Sequence, residues 1–110
     1  MSENRVTASF IDDPLSKIWF TIHLDEHGFA DIDRDIIGRG SVDWGGVWHD
    51  FSLYEYDEKR AGLDWLNPEY SEFKATLDVF DRRLAIGEVV IYIDDTERYA
   101  YRIEKVECMD

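Results

Sequence analysis

From Lys17 to Asp25 the side chains sort onto two faces with a two-residue period. Ile18, Phe20, Ile22 and Leu24 fall on one face, and Trp19, Thr21 and His23 on the other. A two-residue period suits a strand with one face on a core, so this segment sets the chain's character as sheet. The same period appears before it, where Val6, Ala8 and Phe10 predict a strand ended by Asp12-Asp13-Pro14. After it, Glu26-His27-Gly28 reads as a turn, with Gly28 free to take a positive φ. Phe29 to Ile37 then predicts a return strand, diluted by Asp31, Asp33 and Asp35. The four glycines of Gly38 to Gly46 predict a loop or a sharply bent strand entry. Val47 to Tyr56 predicts a strand with Val47, Phe51 and Leu53 on one face and Trp48, Asp50, Ser52, Tyr54 and Tyr56 on the other. Asp57 to Leu66 reads as a polar connector.

The period changes after Asn67. Tyr70, Phe73, Leu77, Phe80 and Leu84 follow spacings of three and four, the stripe of an amphipathic helix. Asn67 is placed to cap it, Pro68 suits its first position, and Glu69 and Glu72 complement its positive end. Arg82 and Arg83 complement the other end, and Gly87 stops it. A main helix is therefore predicted over 68–85. Val89-Val90-Ile91-Tyr92-Ile93 is apolar on both faces and predicts a central strand. Asp94 to Glu97 turns the chain, and Tyr99 to Glu107 returns, giving a C-terminal β-hairpin over 88–107. The fold class expected from this order is α+β: one antiparallel sheet of about five or six strands packed against one main helix. At 110 residues, with 45% apolar residues and four Trp, the chain suffices for a single domain over 1–110 with one core.

Charge limits the partners. Twenty-five Asp and Glu oppose twelve Lys and Arg, a net charge of −13. Such a field repels nucleic acid and anionic membranes, and steers cationic proteins inward on encounter. The single cysteine, Cys108, excludes an intramolecular disulfide. With neither signal-peptide features nor an apolar run of membrane length, the expected localisation is cytoplasmic.

Motifs for chemistry are thin. His23-Leu24-Asp25-Glu26-His27 has the H-x-x-E-H spacing of a zinc-protease class, but it lies where a strand meets a turn rather than on a helix. Asp31, Asp33 and Asp35 open like a calcium loop, yet Ile36 and Val42 stand where that loop requires Gly and Glu. Gly38-Arg39-Gly40 lacks the lysine of a phosphate cradle. Ser41, Ser52, Cys108 and His49 have no spacing that ties nucleophile to base. No catalytic residue, metal site or cofactor is expected, and the chain reads as a non-enzyme.

One region stands out. Between Asp25 and Glu58 ten acidic residues oppose Arg34 and Arg39, so this third of the chain carries −8 of the −13. Within it, Asp43, Trp44, Trp48, Asp50, Tyr54, Glu55, Tyr56, Asp57 and Glu58 mix rings with carboxylates. Trp and Tyr anchor interfaces at low entropic cost, and carboxylates around them select Lys and Arg. These nine are the candidate partner-binding residues.

In charge and size, though in no defined residues, the chain resembles small acidic immunity proteins and inhibitors. That resemblance implies a binding protein that docks on a cationic partner such as a toxin or nuclease active site. A phage-type DNA mimic that inhibits a nucleic-acid-binding complex is the alternative within the same class. The competing class is a small enzyme or ligand-binding domain, with Trp19, Trp44, Trp48 and His49 lining an aromatic pocket between sheet and helix. An adaptor that dimerises through a sheet edge is the last.

Overall fold

The computed structural model describes residues 2–31, 37–95 and 97–109. Eight strands follow one another around a closed antiparallel barrel, each bonded to the next. They are β1 (Ser2–Phe10), β2 (Asp13–Leu24), β3 (Gly38–Trp44), β4 (Val47–Glu55), β5 (Ala61–Trp65), β6 (Ala75–Leu77), β7 (Val89–Asp94) and β8 (Glu97–Cys108). Closure is made by β8 pairing with β1, from Cys108 opposite Asn4 to Tyr101 opposite Phe10.

Alternation decides what lies inside. Val6 and Ala8 on β1, Ile18 to Leu24 at every second position on β2, and Phe51 and Leu53 on β4 are buried in the barrel. Ala61, Leu63 and Trp65 on β5, Val90 and Tyr92 on β7, and Tyr101 and Ile103 on β8 complete it. Positions between them carry Arg5, Lys17, Asp50, Asp64, Arg102 and Glu104. Charge outside and apolar side chains inside is the reverse of a lipid-spanning barrel, whose outer wall is an apolar band. Among the described residues no helix is long and apolar enough to cross a membrane.

The α+β expectation is overturned: the described residues contain no α-helix, and no sheet face is covered by one. Asn67 does cap, its Oδ1 accepting the Glu69 N–H at 3.0 Å, but the cap opens only a single 3₁₀ turn, Pro68–Tyr70. The chain then extends as β6 and runs irregularly to β7. Two periods overlap in this segment. Phe73, Ala75, Leu77 and Val79 also recur at every second residue, and the last three are buried. The extended reading wins because it supplies ladders to both β5 and β7 and closes the barrel, which a helix there would leave open. The residues of the expected stripe are accordingly dispersed, with Phe73 at one end of the barrel, Leu77 in its wall, and Phe80 and Leu84 in the loop across the other end.

Two connectors are corrected as well. Residues 57–60 form a turn and Ala61–Trp65 is β5, not a polar linker. Gly38–Trp44 is a regular strand, and its glycines mark a close crossing: a Cβ on Gly38 or Gly40 would strike the backbone carbonyl of Thr21 or Trp19 on β2. Of the return strand expected over 29–37, residues 32–36 lie outside the described residues, together with Asp33 and Asp35 of the calcium-like pattern. Ala30 makes one bridge to Leu24, and Ile37 is buried in the core. Residues 88–107 do form a hairpin, as β7 and β8.

One end of the barrel is sealed. Leu24, Ile37, Leu53, Val79, Phe80 and Leu84 are all buried there. The loops that carry them are tied across the end by backbone bonds from Leu84 N–H to Gly28 O (2.9 Å), Phe80 N–H to Lys59 O (3.1 Å) and Ile37 N–H to Leu53 O (2.9 Å).

Candidate functional site

The opposite end is open. There the β1–β2 and β3–β4 hairpins turn in two residues, and the β7–β8 hairpin turns nearby. Gly45 and Gly46 have φ of 61° and 86°, the paired positive values of a type I′ turn, and Asp43 Oδ1 accepts the Gly46 N–H at 2.8 Å. Turns this tight bring no side chain over the opening. β2 and β3 pair only from Ile18 to Phe20, so Ser16 and Asp43 flank a split in the wall below the rim.

A cavity of about 470 Å³ results, the size of a small-molecule pocket. Phe10, Trp44, Phe73, Tyr99 and Tyr101 provide its rings, Asp43 and Asp94 its carboxylates, and Ser16 and Gly45 the remaining lining. Phe10, Trp44 and Tyr99 end the inward rows of their strands, Tyr101 lies one inward step below Tyr99, and Phe73 enters from the 66–74 connection. The rings form a continuous set. Phe10 meets Tyr99 edge-on at 5.7 Å and Tyr101 at 5.6 Å; Tyr99 meets Tyr92 at 5.8 Å; Tyr92 meets Trp44 edge-on at 6.2 Å. Trp44 continues to His49 (4.7 Å), Trp65 (5.2 Å) and Phe73 (5.8 Å). Trp65 is pinned by its indole N–H, which donates to the Phe73 carbonyl at 3.0 Å.

The electrostatics of this end are those of uncompensated acid. Burial raises the Asp94 carboxyl above the ordinary carboxylate value, and the neighbouring Glu97 and Asp95 add to the rise. The Tyr99 hydroxyl, which donates to Glu97, is pushed up to about 12 by that bond and by desolvation. Tyr101 is likewise raised to about 12, chiefly by burial and then by Tyr99, Asp43 and Asp94. Tyr92 is fully buried behind Trp44 and Tyr99, and its hydroxyl has no hydrogen-bond partner among the described residues.

The nine sequence-derived candidates do not form one patch. Asp43 and Trp44 line the cavity, and Asp43 also stands directly opposite Trp48 across the β3–β4 ladder. Trp48, 48% exposed, and the exposed Asp50 lie on the outer wall of β4. Tyr54 lies farther along that wall, its ring across Gly62. Glu55, Tyr56, Asp57 and Glu58 reach the sealed end, about 25 Å from Trp48 at the rise of a strand. Tyr56 lies under the Arg60 guanidinium at 5.0 Å. Asp57 is bound to the same guanidinium at 2.7 Å, and that bond holds its carboxyl below the usual range.

Of the alternative pocket residues, Trp44 faces inward and His49 stacks beside it. Trp19 lies outside under Arg5 at 4.3 Å, and Trp48 is outside too, so the expected sheet–helix pocket is replaced by the barrel's own interior. His23 and His27 do not converge: His23 is half-buried on β2, whereas His27 is exposed in the turn beside Glu26. Among the described residues no three His, Cys, Asp or Glu are grouped to hold a metal ion.

Sequence reasoning missed Phe10, Phe73, Asp94, Tyr99 and Tyr101 as site residues. The signal was available: Phe10, Trp44 and Tyr99 each continue an inward row up to a hairpin turn, and alternate turns of an up-and-down barrel share one end.

Fold and site together define a class, an up-and-down eight-stranded antiparallel barrel plugged at one end and open to an aromatic cavity at the other. No protein-family model, curated protein or solved structure matches the chain.

Proposed function

We propose that this barrel is a binding protein that holds a small, largely apolar ligand in its open end. The observation that carries the reading is the cavity of about 470 Å³ walled by five aromatic side chains at an end that the fold leaves uncovered. Eight-stranded barrels have interiors that side chains either fill or leave wide enough for one small ligand. Here both conditions occur in one molecule, filled at the sealed end and vacant at the open one. A neutral dye such as N-phenyl-1-naphthylamine should bind with enhanced emission and quench Trp fluorescence. Ser16→Trp, which directs a ring into the cavity from β2, should abolish that binding while leaving the unfolding transition in place. Dye binding that survives in the folded variant would rule out this site.

A second reading is supported by the outer wall of β4, where half-exposed Trp48 adjoins Asp50. On that reading the face docks on a cationic protein, as an immunity-type inhibitor does. Capture of a basic partner should then weaken with salt and slow in Asp50→Lys. Unaltered association in that variant would remove this wall from consideration.

A further inference from the structure

Resting on the reading of the open end as a ligand site, we propose that the group it receives is a positively charged nitrogen, an amine or ammonium carried on an apolar body. Three independent features converge on that class. The first is the wall. The faces of Phe, Tyr and Trp rings carry negative potential, and a cation within about 6 Å of several faces is attracted most strongly where water is excluded. Phe10, Trp44, Phe73, Tyr99 and Tyr101 offer such faces around one cavity.

The second is uncompensated charge. Asp43 and Asp94 line the cavity, and neither has an ion-pair partner among the described residues. The neighbouring turns add Asp12, Asp13, Asp95 and Glu97, which outnumber Lys74 and Arg98 near the same end. Lys17, the nearby base on β2, is already held by Glu104 at 2.8 Å. An anionic ligand meets net repulsion, and a neutral one leaves both carboxylates without an ion pair; a cation relieves both.

The third is the Tyr92 hydroxyl. It is buried without a hydrogen-bond partner among the described residues, and its ring packs against Tyr99 and Trp44, both of which line the cavity. An unsatisfied buried hydroxyl is uncommon and calls for an explanation. Behind a wall of rings, its oxygen adds one more electronegative atom to the surroundings of a bound cation.

The test uses three probes of similar size on the whole chain: phenyltrimethylammonium, its neutral isostere tert-butylbenzene, and benzenesulfonate. Binding is followed by Trp fluorescence and by the NMR shift of the Trp44 indole. The cation should bind at least about tenfold more tightly than the neutral isostere, and benzenesulfonate should not bind. In the Asp43→Asn/Asp94→Asn double variant the preference should fall to within about twofold. The amide introduced by Asp43→Asn keeps an oxygen that can accept from the Gly46 N–H, so the turn is retained. Equal affinity for the cation and its isostere in the natural chain would overturn the charge assignment and leave the cavity standing. Failure of all three probes to move the Trp44 signal would overturn the cavity itself. Should the double variant not fold, the ranking of the three probes on the natural chain decides alone.

Discussion

The two ends of the barrel are made from the same strands but finished differently. At the sealed end Val79, Phe80 and Leu84 fold back from the connection at 78–88 and join Ile37 in the core. At the open end the two-residue β1–β2 and β3–β4 turns carry nothing inward, so Phe10, Ser16 and Trp44 line the cavity rather than filling it. Carboxylates divide the same way. Asp25 and Asp57 sit in turns at the sealed end. There the Phe29 N–H and the Arg60 side chain, respectively, are the chief groups holding them below the ordinary range. Asp94 at the open end is raised by burial without such a partner. Asp78, half-buried beside β7, is the exception at the sealed side: desolvation raises it although it accepts from the Ile91 N–H and pairs with Arg82 at 2.8 Å. What the connections carry inward thus separates the filled end from the open one.

That contrast is open to measurement. Its largest expression is packing. Leu84→Ala should cost about 2–5 kcal/mol in urea unfolding, because it empties a closed region. Phe73→Ala at the half-buried rim should cost roughly half as much. Equal losses would make the open end as much core as the sealed one. Next is Tyr92→Phe, which removes a buried hydroxyl with no hydrogen-bond partner among the described residues and should raise stability by about 1 kcal/mol. A loss of that size instead would mean the hydroxyl is satisfied in solution.

Smaller still is a pair of opposite pH effects. Asp57 has a depressed folded value, so its contribution is present at neutral pH and is lost as pH falls through that value. Asp94 has a raised one, so its favourable form is the protonated one, present at low pH and lost as pH rises through the raised value. At pH 7, Asp57→Asn should therefore lower the melting temperature and Asp94→Asn should raise it, both differences shrinking in acid. Shifts of the same sign would erase the distinction. The smallest effect is expected on the outer face of β4 beside the open rim, where Trp48→Ala should change stability by only about 0.5 kcal/mol, as a half-exposed wall residue. A loss of several kcal/mol would make the ring structural and remove it as an anchor.

Strands were the legible part of this chain. The inward rows of β1, β2 and β4 follow directly from alternation at Val6-Ala8, Ile18-Leu24 and Phe51-Leu53. What failed was the segment where two periods coincide. The Tyr70 to Leu84 stripe has helical spacing, a good cap and favourable end charges, all local preferences. The row Phe73, Ala75, Leu77, Val79 wins only through pairing partners far along the chain. β5 was obscure for a related reason, since Ala61 and Gly62 open it and only Leu63 and Trp65 signal a core. The site was half legible. Asp43 and Trp44 were singled out for composition, but their companions Phe10, Asp94, Tyr99 and Tyr101 arrive through closure of the barrel, a non-local event that composition does not encode.

The seam between β1 and β8 has a temporal consequence. Residues 4–10 are bonded to residues 101–108, so this contact spans nearly the whole described chain. During synthesis the row Val6, Ala8 and Phe10 has to wait on one flank until the last strand leaves the ribosome. Contacts of such separation slow folding, and they place docking of β8 among its final steps. Acidic repulsion between waiting chains would guard that interval against association.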